Sequence, residues 1–294
     1  MPLAVARSFF RVLIFACVLL LLVIVLLWHA RRASQPESLT AANGMLYISS
    51  AGHPSIYRME PGAYLRSTFI DASADGKGTF FFGVLADAAT NTLWACELTP
   101  VHGSTPQRLH SGLRSFDLAT GVAKTHWELP GGNTMCNDLA LGPDNAVYFT
   151  DTMNGRVYRL AAGGSAAELL LEHPSLAGVD GIAFLNGALY VNSIYSGKLL
   201  RLPLDGTGKA GTPVEIATDR PLQGPDGMRS AGDRLIVAEN GGRRVSVVRV
   251  EGDRASVTVL KEGLKTPTGV APLGDTIWIT ERATGRIVST PLAR

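Results

Sequence analysis

The chain has 294 residues, 46% hydrophobic and 18% charged, with 32 glycines and 16 prolines, which is room for one large domain or two small ones. So much glycine without a strict period excludes collagen and points to many tight turns rather than to disorder. The formal charge is +2; taking Arg7, Arg11, Arg31 and Arg32 from the 27 Lys and Arg leaves 23 against 25 Asp and Glu, a net of −2, which excludes a basic nucleic-acid footprint.

The first element is apolar. Val12 to Trp28 reads VLIFACVLLLLVIVLLW without a charge, and as a helix it spans roughly 26 Å, close to a thin bilayer core. Arginines flank it on both sides, and Trp28 suits a membrane interface. The run exceeds the apolar region of a signal peptide, and WHARRASQ offers no A-x-A cleavage site. The expectation is an uncleaved anchor over residues 1–32, single-pass in the cell (inner) membrane, with residues 33–294 on the exported side. A cleaved signal peptide is the alternative. Cys17 lies in this segment; Cys96 and Cys136 follow it, and in an exported domain they either join or remain two buried thiols.

From residue 37 the chain repeats itself. ESLTAANGMLY from Glu37 aligns without a gap on DGIAFLNGALY from Asp180, so Asn43-Gly44 falls on Asn186-Gly187. The unit recurs as FGVLADAATNTLWACE from Phe82, NDLALGPDNAVYFTD from Asn137, DGMRSAGDRLIVAE from Asp226 and TGVAPLGDTIWITE from Thr268. The separations are 45, 55, 43, 46 and 42 residues, a propeller period rather than that of a helical solenoid. Each unit reads as short strands divided by glycine or Asn-Gly turns, four to a blade. The predicted fold is all-β: a six-bladed β-propeller preceded by one N-terminal transmembrane helix. The last unit runs out at Arg294, so its outer strand is missing or borrowed from residues before Glu37.

The innermost strand of each blade lines the channel, so the first residue of each unit faces the axis. That predicts a ring of Glu37, Asn137, Asp180 and Asp226, completed by Phe82 and Thr268. Three carboxylates and an amide facing one another raise at least one carboxyl pKa. A hard divalent cation with oxygen ligands removes the conflict, and the lack of histidine and cysteine speaks against zinc or copper. The alternative is that these are turn-forming residues facing solvent at strand starts.

At these residues the chain resembles the gluconolactonase/regucalcin (senescence-marker-protein) family, and more distantly paraoxonases and strictosidine-synthase-like proteins. PDGMRSAGDRLIVAENGG is similar to the family's P-D-G-M segment, and CNDLALGPDNAVYFTD to its N-D segment; GVDGIAF and PESLTAANGMLYISS stand where it has S-N-G-[LI] and its N-terminal glutamate. The resemblance implies metal ligation by Glu37, Asn137, Asp180 and Asp226, with calcium or another divalent cation such as Mg2+, Mn2+ or Zn2+ as cofactor. Asp180 replaces the family's usual asparagine, which makes the site more negative. The histidine pair of paraoxonases has no counterpart here, where Phe82 and Thr99 stand nearest.

The expected function is calcium-dependent hydrolysis of a lactone or related ester by metal-activated water. Asp226 or Asp180 takes the proton and Asn137 holds the substrate or its developing oxyanion. Asp151, Asn192, Glu239, Asn240 and Glu281 follow the second strands at the same face and are candidates for a substrate wall. The long insertion 98–114, with His102 and His110, is the candidate lid. Tyr47, Trp94, Tyr148, Tyr190 and Trp278 recur at one second-strand position and read as core. The rival expectation is a non-catalytic, membrane-anchored propeller that binds a sugar, peptide or protein partner.

Overall fold

A computed structural model describes residues 13–23, 25–26, 34–75 and 78–292. Beyond the N-terminal segment these residues form antiparallel meanders. The first runs through Pro36–Ala42, Met45–Ser50, Ser55–Met59 and Ser67–Asp71; the second through Phe80–Asp87, Thr92–Pro100, Leu109–Asp117 and Ala123–Glu128. The third comprises Cys136–Leu141, Val147–Asp151, Arg156–Leu160 and Ala167–Glu172. The fourth comprises Val179–Leu185, Ala188–Ser193, Leu199–Leu202 and Val214–Thr218. The fifth comprises Pro225–Ala231, Arg234–Glu239, Arg244–Glu251 and Arg254–Lys261. The last has three strands among the described residues, Pro267–Leu273, Thr276–Glu281 and Arg286–Pro291. Among the described residues its outer strand is thus missing, the first of the two expected alternatives. The outermost strands of the fourth and fifth meanders pair in parallel at Ala217↔Arg254 and Thr218↔Ala255, which joins the two into one eight-stranded sheet.

Local sequence accounts for the turns. Asn43-Gly44 and Asn186-Gly187 both hold positive φ, 51° and 73° in one and 50° and 78° in the other, as a two-residue hairpin turn requires. Alternate strand residues face neighbouring meanders, and each interface has its own apolar core. Phe81, Val84 and Leu93 pack on Tyr47 and Ile56 between the first two; Leu39, Leu46 and Ile48 meet Ala271 between the first and the last. The first strand of every meander touches that of the next, and Pro267–Leu273 returns to Pro36–Ala42. The result is an all-β propeller closed around an axis. Tyr47, Tyr148 and Tyr190 are buried in these cores and Trp94 and Trp278 pack partly buried against them, as expected.

Cys96 and Cys136 form a disulfide across 40 residues of sequence and tie the second meander to the first strand of the third. At the N-terminus, residues 13–23 are helical and their large apolar side chains, Leu13 to Val23, are exposed. The expected anchor lies partly outside the described residues, as do Trp28 and all four flanking arginines. Among the described residues no helix is long and apolar enough to cross a membrane; residues 13–23 rise about 16 Å, half of a hydrocarbon core.

Candidate functional site

A recurring irregularity builds the site. Every first strand slips register against its partner within its first residues: between Pro36 and Leu39, Phe81 and Val84, Val179 and Ile182, Pro225 and Met228, and Pro267 and Val270. The third meander slips between the partners of Asp151 and Phe149. Such a bulge re-aims side chains, and the residues that it re-aims include Glu37, Asn137, Asp180, Asp226 and Thr268. The second strand braces it. Ser49, Thr150 and Thr280 hydroxyls and the Asn192 amide oxygen accept from the backbone N–H of Ser38, Asp138, Gly269 and Gly181 at 2.9, 3.1, 2.7 and 3.0 Å.

Glycine follows the ring residue where neighbouring strands come closest. A Cβ on Gly83 would stand 2.4 Å from the Asn137 carbonyl oxygen, on Gly181 2.4 Å from that of Asp226, on Gly227 2.6 Å from that of Thr268, and on Gly269 2.9 Å from that of Glu37. Ser38 and Asp138 occupy this position in the remaining two meanders.

Glu37, Asn137, Asp180, Asp226 and Thr268 come together around one cavity, with Ser38, Gly83, Asp138 and Gly227 completing its wall. Its volume of about 10 Å3 is room for one ion or water rather than for a substrate. Phe82 does not line it. Its ring packs toward the interface of the second and third meanders and lies 5.8 Å below the Arg282 guanidinium.

All four predicted polar residues are at most 8% exposed. The Asn137 amide donates to Thr152 Oγ1 and to Asp180 Oδ2, both at 2.9 Å. Asp226 accepts from Gly227 N at 3.0 Å and from Asn240 Nδ2 at 3.3 Å. Asp180 Oδ1 is buried with no hydrogen-bond partner, and so is Glu37 Oε2, which has Arg282 Nη1 at 3.0 Å but not in hydrogen-bond alignment. Burial, opposed by Arg282, pushes the Glu37 carboxyl up to about 7. Burial first, then the neighbouring carboxylates, raises Asp180 well above the usual range; burial and Glu37 do the same to Asp226, against the Asn240 and Gly227 hydrogen bonds. These carboxyls repel one another through low dielectric. They have not converged on a point: among the described residues no three His, Cys, Asp or Glu are grouped so as to hold a metal.

Three residues that the sequence pattern did not single out belong here. Asp138, 3% exposed, takes the Arg229 guanidinium at 2.8 Å, and Arg282 reaches Glu37. Asp138 had a sequence signal, since a carboxylate stands where four other units have glycine. Arg229 had a weaker one, a charge in a column of otherwise uncharged residues.

The expected substrate wall is largely put to other uses. Asp151, Glu239 and Glu281 accept from Met135, Gln223 and Lys265 N–H groups at 3.0, 2.7 and 2.8 Å, tying down the loop before each first strand. Glu239 also takes a bidentate pair from Arg244, 2.8 Å at both oxygens, and a bond from Ser246. Asn192 donates to the Asp226 carbonyl at 2.8 Å. Of the five, Asn240 alone hydrogen-bonds a ring side chain. The insertion 98–114 extends a hairpin as far as the pair Pro100↔Leu109, and neither His102 nor His110 lines the ring cavity.

No family model matches the chain, and no curated protein matches it in sequence. Solved structures match its fold. A gluconolactonase from Xanthomonas campestris is similar at 21% identity and a TM-score of 0.66, over 89% of this chain and 87% of that one. The calcium-binding protein regucalcin from Agrobacterium tumefaciens is similar at 18% and 0.63, over 87% and 89%. A chain of a nidogen/laminin complex is similar at 18% and 0.65, over 84% and 89%. The chain therefore has the propeller fold that gluconolactonase and regucalcin structures share with a protein of a binding complex; fold by itself does not assign an activity.

Proposed function

We propose that this chain is a six-bladed propeller of the gluconolactonase/regucalcin kind, one blade per meander, that hydrolyses a lactone or related ester with a divalent cation, calcium first among them. Glu37, Asn137, Asp180 and Asp226 would hold the cation. One observation carries this reading: Asp180 Oδ1 is buried without a donor, beside two more buried carboxyls with raised pKa values. Folding has placed at the axis three carboxyls whose ionised forms are poorly compensated, and an all-oxygen donor set fits a hard cation. When bound, such a cation polarises a carbonyl and lowers the pKa of a neighbouring water.

The chain's own groups do the rest. Asp226 or Asp180 would accept the proton of the attacking water, each being a carboxyl that lines the cavity. Asn137 spends both amide N–H groups on Thr152 and Asp180, so it would hold the developing oxyanion only by turning one of them to the substrate oxygen. The cavity is too small for a substrate, which must approach from the face where Arg282 and Asn240 stand. The apolar segment before Ser34 would hold the propeller to the membrane on its exported side, and the Cys96–Cys136 disulfide is consistent with an oxidising compartment.

A second reading, a non-catalytic propeller that binds a sugar, peptide or protein, is favoured by the four rim residues that serve loops and backbone rather than open surface. Turnover of a panel of lactones and esters, with and without chelator, separates the two. Hydrolysis that disappears in chelator and returns with a divalent ion supports the enzyme; no turnover of any member supports the binder.

A further inference from the structure

Beneath the ring a second charged group lies across the channel. Arg229 leaves the first strand of the fifth meander, and its Nη1 donates to Asp138 Oδ1 and Oδ2 at 2.9 and 2.8 Å and to the Met228 carbonyl at 2.7 Å. Its Nη2 donates to the Val84 carbonyl at 3.1 Å. Asp138 belongs to the third meander and Val84 to the second, so one side chain spans three meanders. Backbone N–H groups of Ile182 and Met228 also donate to Asp138 Oδ2, both at 3.4 Å. The guanidinium side chain is 12% exposed and the Asp138 side chain 4%, and Arg229 Nε is buried without a partner. Packing alone does not select such a group, because a buried charge is costly unless paired and an apolar side chain of that length would fill the channel.

We propose that Arg229 is a built-in cation. Its guanidinium fills a buried pocket whose acceptors are all oxygen: one carboxylate and two backbone carbonyls. The same donor set would suit a small hard cation. A charge supplied by the chain, permanently protonated, holds the second, third and fifth meanders together beneath the ring without drawing on dissolved ions. The proposal goes beyond the reading of the ring and does not depend on it.

The test uses the full-length protein, purified in detergent and stripped of divalent ions. Arg229→Ala and the parent are compared for thermal unfolding and for calcium bound per chain, in chelator and with calcium resupplied. In chelator, Arg229→Ala is expected to melt below the parent. Calcium or methylguanidinium should restore several degrees, and the variant should bind one calcium more per chain than the parent. Adding Asp138→Asn should abolish both recoveries, whereas adding Asp226→Ala should leave the extra calcium in place. A parent without calcium beside a variant that gains one therefore sinks the reading of the ring and leaves this inference standing. Equal melting of Arg229→Ala and the parent in chelator overturns it, as does a loss that neither cation repairs and no extra ion accompanies. If Arg229→Ala does not fold, Arg229→Lys and Arg229→Met decide. Lysine should keep more stability than methionine, and methionine equal or better would show that volume rather than charge fills the channel.

Discussion

At the scale of single residues, the site is a set of carboxyls held in conflict, and each can be tested separately. Asp226→Asn keeps the size and an oxygen but removes the charge and the base, so hydrolysis should fall about 10²- to 10⁴-fold while the melting temperature changes little. His102→Ala, outside the ring, should alter substrate preference at most. If His102→Ala abolishes turnover and Asp226→Asn does not, the catalyst lies in the hairpin. Acidity gives a second test. In chelator, Glu37 has a folded pKa near 7 against an ordinary 4.5, for reasons of burial. The folded state then binds the proton more tightly than the unfolded one. The stability that this contributes is complete below about 4.5 and is lost as pH rises to about 7, with Asp180 and Asp226 acting in the same direction. The ion-free propeller should therefore melt higher at the acid end of that window, and resupplied calcium should raise the melting temperature most at the neutral end. A melting temperature that climbs with pH across the window in chelator would contradict the charge conflict on which the proposed site rests.

At the scale of elements, bulge, brace and glycine work together. Gly181→Ala puts a Cβ 2.4 Å from the Asp226 carbonyl oxygen, an overpacking worth about 1–3 kcal/mol, whereas Gly206→Ala, with open space around it, should stay within about 0.5 kcal/mol of the parent. Denaturant unfolding of the two variants checks the pair. The Cys96–Cys136 bond closes a 40-residue loop and ends next to Asn137, so Cys96→Ala with Cys136→Ala should cost about 2–4 kcal/mol. The period of the elements was legible in the sequence because each unit carries its own turns and strand starts: Asn43-Gly44 and Asn186-Gly187 mark equivalent corners by residue type alone. Glu37, Asn137, Asp180 and Asp226 were brought together by that period, which needs no contact to be known. What a strand-end polar residue does was not legible. Glu239 and Asn240 are neighbours of similar character, yet one takes a backbone amide and a buried arginine while the other reaches Asp226. Arg229 stood out only as a charge in an uncharged column; its pairing was not legible, because its partner is 91 residues away and no local pattern links the two. Pairing of the cysteines stayed open for the same reason, until the fold set Cys96 beside Cys136.

At the scale of the whole molecule, the proposed tether and the propeller should be separable. Among the described residues every strand begins at Pro36 or later, so deletion of residues 1–32 should release a folded protein from the membrane fraction, while the full-length chain sediments with it. A mature chain beginning near Ser34 that washes off membranes would mean a cleaved leader instead. Among the described residues the ring closes between the first and the last meander, as at every interface but that of the fourth and fifth meanders, without a shared sheet. The two meet through the small core around Leu39 and Ala271, and through Thr268 and Thr280 hydroxyls that donate to the Glu37 carbonyl at 2.6 and 3.1 Å. The Arg66 guanidinium adds a bond to the Gly285 carbonyl at 3.2 Å. The clasp of the ring is thus fastened on the backbone of a candidate site residue. Traction applied between Pro36 and Pro291 would load this clasp directly, and its parting would draw Glu37 away from Asp180 and Asp226, so that mechanical load on the closure would also be load on the site.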